Sequence, residues 1–339
     1  MKLAIGTYGA NWYTVDFSDR GFSNLEAHSG RDFSCIRSFN GGVYAVTENS
    51  AEGPCYLTPV EGTQYLIASN FGSGSVDLFA AVSMSGNQDS GVFISSLEKR
   101  GEIQFRGSGP VTENNRQIHS RVHQVVQIPW EMEGAGDVRL FLATDFGSDA
   151  IRVLCLGEKF DTLSRYKIET PAGSGPRHLA FNSEHKLLYC LCEISNELLV
   201  YSFSGFENIR LLQRIDISKL GANGEVGELK PAAGDMLLHP FGGWLYATRR
   251  IVNEGVLKFD VGEDGLLFFS SFVATGKHPR SLRFMSTAGS MVGSDVLFVS
   301  CKDEAVQVFS LDDKGNLQGE LFRLELPYGD MPVWVEPLR

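Results

Sequence analysis

Apolar and polar residues alternate at a period of two along most of this chain, and helical periodicity is nearly absent. One pattern returns: an apolar strand, a turn, a second strand ending in a polar cluster, then a third strand. The second and third strands read YLIASNFGSGSVDLFA from Tyr65, FLATDFGSDAIRVLCL from Phe141 and YCLCEISNELLVYSF from Tyr189. Two further copies are YATRRIVNEGVLKFDV from Tyr246 and FVSCKDEAVQVFSL from Phe298. Each begins on an aromatic residue and breaks at a short polar stretch rich in Gly, Asn, Asp or Ser, as a hairpin connection requires.

Seven first strands can be read: FSCIRSF at Phe33, GPCYLTPV at Gly53, VHQVVQIP at Val122 and PRHLAFNS at Pro176, then DMLLHP at Asp235, PRSLRFM at Pro279 and PVWVEPL at Pro332. Most are spaced by about 45–70 residues, the period of a four-stranded blade. Such a sheet cannot bury its faces alone, so the pattern predicts an all-β, seven-bladed β-propeller. Nothing follows the last first strand, and nothing precedes KLAIGTY and WYTVDFS. Ring closure is therefore expected, with the C-terminal strand completing the blade begun by the N-terminus. The starts near Phe33 and Gly53 are too close for a full blade, so the one around YAVTENS is expected to be abbreviated. No linker, charge run or low-complexity tract divides the chain, and residues 1–339 read as a single domain.

Thirty Lys and Arg against 41 Asp and Glu give a net charge of −11. That argues against a nucleic-acid or anionic-membrane partner, because both need a basic face. An anionic small molecule stays open, since a few arginines in one cleft can reverse the local field. No apolar run reaches the length of a membrane helix. The start MKLAIGTYGANW lacks the apolar core and cleavage site of a signal peptide. Cys35, Cys55, Cys155, Cys190, Cys192 and Cys301 form no CxxC pair and read as reduced core thiols, with Cys190 and Cys192 on one strand face. A cytoplasmic protein is expected.

Adjacent strands in a blade are antiparallel, so the start of the first and the end of the second share one face of the propeller. The starts supply Arg121, His123, Arg177, His178, Asp235, Lys277, His278 and Arg280. The ends supply Glu48, Asn70, Asp145, Glu193, Arg249, Arg250 and Lys302. A mouth rich in Arg and Lys on an acidic chain fits an anionic ligand. His123, beside Arg121, is a candidate general base or a histidine bonded to a blade turn. Arg177, aimed by Gly175-Pro176, suits carboxylate or phosphate recognition or an interblade ion pair. Glu193 is either an acid or base with a raised pKa or the partner that orients Arg177. Arg249 and Arg250 point to opposite faces, so at most one enters the mouth. His178, Arg280 and Lys302 are candidate substrate-binding residues. Asn70 and Asp145 are too, although each precedes a Phe-Gly turn that it could instead cap. His28, His185 and His239 fall at loop or turn-like positions and receive no role. His119 lies near His123 without a third metal ligand, so neither metal nor cofactor is expected. GSGSV at Gly72 lacks the strand–helix context of a phosphate loop, and no GxSxG elbow is present.

At these residues the chain resembles the seven-bladed lactonase family, which includes the propeller-type 6-phosphogluconolactonases and, as a relative, the fungal carboxy-muconate cyclase. The resemblance rests on GPCYL followed by YLIASNFGSGSV, the His123 strand followed by LATDFGSDAI, GSGPRHLAF followed by LYCLCEISNELLVYSF, GKHPRSLRF and PVWVEPL. It runs in order from about Gly53 to the end. It implies His123, Arg177, Glu193 and Arg250 as catalytic residues. Two positions depart from the family: Leu237 stands where a histidine is usual, and Arg121 where many members have one. The implied reaction is hydrolysis of a small anionic sugar lactone, foremost 6-phosphogluconolactone, within carbohydrate metabolism by the pentose phosphate route. The alternatives are a muconate-type lactonising cyclase and a non-catalytic propeller that binds a partner through one face.

Overall fold

The computed structural model describes residues 1–30, 32–39, 42–47, 52–82, 96–129, 138–163, 166–206, 208–221, 231–286 and 295–338. Glu48, expected at the end of the abbreviated blade, lies outside them. The strands are β1 (Lys2–Tyr8), β2 (Asn11–Ser18), β3 (Gly21–Ser29), β4 (Phe33–Phe39), β5 (Gly42–Thr47), β6 (Pro54–Pro59), β7 (Tyr65–Asn70), β8 (Ser75–Val82) and β9 (Ser96–Gln104). They continue with β10 (Val122–Ile128), β11 (Arg139–Asp145), β12 (Ala150–Leu156), β13 (Phe160–Thr162), β14 (Ile168–Glu169), β15 (Pro176–Asn182), β16 (Leu187–Cys192), β17 (Glu197–Phe203) and β18 (Ile209–Asp216). The last are β19 (Ala232–Leu238), β20 (Trp244–Arg250), β21 (Gly255–Val261), β22 (Leu267–Ala274), β23 (Pro279–Met285), β24 (Val296–Cys301), β25 (Val306–Leu311), β26 (Leu317–Leu324) and β27 (Met331–Pro337).

Each first strand read from the sequence opens its own sheet. The orders are β6-β7-β8-β9, β10-β11-β12-β13 with β14 on β12, β15-β16-β17-β18, β19-β20-β21-β22 and β23-β24-β25-β26. The short blade is the two-stranded β4-β5 among the described residues. The closing sheet is β27-β1-β2-β3, so the C-terminal strand does supply the first strand of the N-terminal blade. Asp330 clasps this junction. It accepts hydrogen bonds from Ala10 N at 3.0 Å, Asn11 Nδ2 at 2.9 Å and the Tyr13 hydroxyl at 2.6 Å. Burial, with the adjacent carboxylate, pushes the Tyr13 phenol up from its ordinary pKa.

Burial is greatest in the second strands and least in the fourth. β16 and β24 are buried at every position, whereas the fourth strands β18, β22 and β26 are mostly exposed. A strand covered on both faces reads as a continuous apolar run, and a half-covered edge strand does not. That is why the second and third strands stood out in the sequence and the fourth did not.

Residue contacts part the chain into two compact units, and the boundary passes within β4, β17 and β18. One comprises Met1–Ile36, Asn196–Val200 and Leu212–Leu338; the other comprises Arg37–Ser195 and Tyr201–Leu211. In the second unit, Val76, Phe141 and Leu154 belong to one core shared by the β6–β9 and β10–β13 sheets. In the first, Tyr13, Val15 and Phe17 pack with Val296 and Phe298. The Phe17 and Phe298 rings meet edge to face at 5.0 Å.

A β-bulge recurs at one place. Pro176 pairs with Cys192 and His178 with Leu191, leaving Arg177 as the extra residue. Pro279 and Ser281 leave Arg280 in the same way, and Pro54 and Tyr56 leave Cys55. The β10 shift spans His123 and Gln124, and the β19 shift spans Gly234 and Asp235. Bulges re-aim side chains and cluster beside functional sites. Here they fall on three of the predicted site residues.

Candidate active site

In the unit that contains residues 37–195, Arg177 is positioned by its backbone. Gly175 has φ +61, and a Cβ there would stand 2.6 Å from Ile194, so the turn before Arg177 requires glycine. Thr144 Oγ1 donates to the Arg177 carbonyl at 2.9 Å, and Gln124 Oε1 accepts from Leu179 N at 2.6 Å. These bonds fix β11 and the bulged strand β10 to the bulged strand β15. The Arg177 guanidinium meets Glu193 Oε2 at 2.7 Å, and Arg116 donates to Glu193 Oε1 at 2.5 Å. One carboxylate thus holds two guanidiniums. Side-chain exposure rises from 6% at Arg177 through 14% at Glu193 to 34% at Arg116, so the cluster opens to solvent at one end.

His123 and His178, both buried, stand with ring centroids 5.0 Å apart. Phe71 lies edge-on to His123 at 5.9 Å and Tyr56 to His178 at 6.0 Å. Arg37 donates to the Tyr56 hydroxyl at 2.7 Å. Arg121 lies with its guanidinium 5.1 Å from the Phe71 ring centroid and donates to the Asn115 carbonyl at 2.8 Å; burial lowers its pKa.

Asn70 and Asp145 both make side-chain bonds of the turn-capping kind. Asn70 Nδ2 donates to Ser75 Oγ at 3.0 Å across its hairpin. The Asp145 carboxylate is fully buried. It accepts from Ser120 Oγ at 2.9 Å, Arg121 N at 3.0 Å, Ser148 Oγ at 2.5 Å and Arg152 Nη2 at 2.8 Å. With both oxygens engaged, it ties the β11 end to the β10 start. Asp235, in the other unit, is also structural. Its N–H donates to Thr248 Oγ1 at 2.8 Å and its carboxylate accepts from Leu282 N at 2.8 Å, repeating the Gln124–Thr144–Leu179 device. His28, expected in a loop, lies in β3 and stacks on Trp12 at 4.4 Å. Its edge bonds to Thr14 there, an exposed-strand position that the polar run SNLEAHS did not reveal.

In the unit that contains residues 212–338, Arg249 and Arg250 diverge as strand neighbours must. Arg249 is fully buried and donates to the carbonyls of Ile217, Leu220 and Asn253. Arg250 donates to the Ala233 carbonyl at 2.7 Å and meets His278 Nε2 at 3.3 Å. Gly234 leaves room for this, since a Cβ there would lie 3.2 Å from Arg250 Cδ. Arg280 bonds the Tyr8 hydroxyl and covers its ring at 4.8 Å, and Lys302 lies 5.7 Å from the same ring. His278 also faces Asp303 at 3.3 Å.

Burial and then the Arg250 charge lower the His278 pKa to about 4, against the partial opposition of Asp303. The unfolded chain therefore binds the extra proton between about pH 6.5 and 4, and stability falls as pH drops through that window. His278→Asn, which tolerates the residue's φ of +58, should remove this part of the dependence. Urea unfolding at pH 7 and pH 5 checks it: the variant should gain on the wild type at pH 5, and an unchanged difference contradicts the assignment.

Arg116 and Tyr8 were not among the predicted site residues. Arg116 lies in a loop ahead of β10, where a search of strand ends does not look. Tyr8 ends the second strand of the closing blade, so the strand-end rule applied to that blade finds it. Among the described residues no three His, Cys, Asp or Glu side chains gather as metal ligands.

Seven sheets in blade order among the described residues, a C-terminal strand closing the first of them, and Arg177, Arg280 and His123 carried on first-strand bulges together describe a β-propeller. The family model described as lactonase, 7-bladed beta-propeller, matches residues 40–337, and the chain belongs to that family. The 6-phosphogluconolactonase of Yersinia pestis (strain Pestoides F) is 29% identical over 172 residues, covering 50% of this chain and 47% of that protein. The chain thus spans about half the length of the curated 6-phosphogluconolactonases it matches. Among solved structures, the periplasmic gluconolactonase of Pseudomonas aeruginosa superposes with TM-score 0.74 at 20% identity, covering 100% of this chain and 99% of that one. A proposed 6-phosphogluconolactonase from Bacteroides fragilis has TM-score 0.71 at 26% identity, covering 98% and 95%. No helix among the described residues is long and apolar enough to cross a membrane.

Proposed function

We propose that this protein hydrolyses a small anionic lactone, with 6-phosphogluconolactone as the first substrate to test, and that it does so in the cytoplasm as a single propeller domain. The observation that carries the reading is the Arg116–Glu193–Arg177 cluster in the unit that also holds the His123–His178 pair. Lactone opening needs a base for water and a fixed positive charge where the carbonyl oxygen becomes an oxyanion. His123 takes a proton from the attacking water as the new carbon–oxygen bond forms. Arg177 stabilises the oxyanion. Collapse of the tetrahedral intermediate breaks the ring carbon–oxygen bond, and the departing alkoxide takes the proton back from His123. The product is the open hydroxy acid, and atoms balance with one water consumed. Glu193 serves as the counter-ion that orients Arg177, because both its oxygens already accept from guanidinium groups. His178, in the same unit, enters the proposal as a candidate holder of the substrate anion; Arg250, Arg280 and Lys302 belong to the other unit, and each of the four is tested by its own alanine variant.

The test is hydrolysis of freshly made 6-phosphogluconolactone beside unphosphorylated gluconolactone, corrected for spontaneous opening. The phosphorylated lactone should be preferred by at least about tenfold in kcat/KM, the factor that one lost charged contact commonly costs. Equal rates would remove phosphate recognition. No opening of either above background would overturn the lactonase reading.

A further inference from the structure

Asp149 lies at the left-handed end of the short 3-10 turn Phe146–Ser148, with φ +49, and is buried. It touches neither Glu193 nor either of that residue's arginines through any bond described above. Its carboxylate nevertheless reaches both segments that carry them. Oδ2 accepts from Gly173 N at 2.7 Å and Oδ1 from Gly175 N at 2.8 Å, with Ser174 Oγ at 3.3 Å. This turn leads directly into Arg177. The Gly175 carbonyl in turn accepts from Glu193 N at 2.9 Å, so the same turn fixes the Glu193 backbone.

Asp149 Oδ1 also accepts from Gln117 Nε2 at 2.7 Å. Gln117 is fully buried and gives its second amide hydrogen to the Phe146 carbonyl at 2.8 Å. Its Oε1 accepts from Val111 N at 3.0 Å, and its backbone bonds to Gly109 and Val111. Gln117 thus pins the loop that carries its neighbour Arg116, whose guanidinium lies 5.3 Å from the Phe146 ring centroid.

We infer that Asp149, acting through Gln117 and the Gly173–Gly175 turn, is the positioning residue that sets the geometry of both arginines on Glu193. The physical reason is the acceptor count. A carboxylate only accepts, and here its two oxygens receive two backbone N–H groups, one amide and, at 3.3 Å, one hydroxyl from two separate segments, Oδ1 taking three of the four. An asparagine of the same shape turns one acceptor into a donor facing an N–H, so one segment must let go. The inference rests on the lactonase reading for its catalytic consequence, but not for the coupling of the two segments.

The experiment has two arms. In the first, Asp149→Asn is placed in the wild type and in Arg177→Ala, and 6-phosphogluconolactone turnover is measured well below the melting temperature of each. Action through Arg177 predicts a loss of about tenfold or more in kcat with KM within about threefold in the wild-type background, and less than about threefold in the Arg177→Ala background. An equal loss in both backgrounds, or none in the wild type, overturns the inference. In the second arm, hydrogen exchange is followed by mass spectrometry. Exchange should quicken in peptides covering both 108–118 and 172–178 in Asp149→Ala, which removes both carboxylate oxygens, with those of β19–β22 unchanged. Acceleration of one segment alone, or of neither, overturns the inference even if the wild type opens no lactone. That last result would sink the lactonase reading and leave the coupling to be judged by exchange.

Discussion

Arg177→Ala is expected to lower kcat/KM for 6-phosphogluconolactone by about 100- to 1000-fold, the usual cost of removing one oxyanion donor from a preorganised site. The loss should appear mainly in kcat, because the guanidinium is needed most when charge has moved onto the carbonyl oxygen. Folding should survive. The Arg177 backbone is held by Thr144, and Glu193 keeps Arg116 as a partner. Arg177→Lys keeps the charge and loses the planar fork, so it should fall between the two. A folded Arg177→Ala protein with wild-type turnover would remove Arg177 from the mechanism.

The second large effect belongs to His123. His123→Ala should reduce kcat by about 100- to 10,000-fold, the range for loss of a positioned general base. The imidazole is 5% exposed and packed between Phe71 and His178, so its removal leaves a ring-sized space. Added imidazole should enter that space and restore part of the rate in a saturable way. Rescue of His123→Ala but not of Arg177→Ala would separate proton transfer from charge stabilisation. Wild-type activity in a folded His123→Ala protein would assign the base elsewhere.

The sheets were legible because inner strands must be apolar on both faces. LLYCLC and VLFVSC can hardly be anything else, and all seven first strands were found from the runs beside them. The fourth strands were not legible. IRLLQRID and LQGELFRL lie half in solvent and carry polar residues at most positions. The site was legible as residue types at strand ends, since antiparallel pairing sets Pro176 opposite Cys192 and Ala232 opposite Arg250. What a period of two cannot show is the bulge. One extra residue at Arg177 or Arg280 redirects that side chain, and no local composition marks it. Nor does it show partners held in loops, which is why Arg116 and Asp149 emerged only in three dimensions. Asp145 shows the converse. A carboxylate at the right strand end proved to be committed to donors from the β10 start, its own turn and β12.

The pairing of β27 with β1 has a consequence for the order of events at the ribosome. β1 to β3 leave the tunnel about 300 residues before β27, which at typical elongation rates is a wait of roughly 15 to 60 s. Through that interval the hydrogen-bonding edge of β1 has no neighbour, and the Asp330 clasp on Ala10, Asn11 and Tyr13 does not yet exist. Among the described sheets the N-terminal one is thus the first begun and the last completed. Its open edge is the place where a holding chaperone, or a mispaired strand from another nascent chain, would have longest to act.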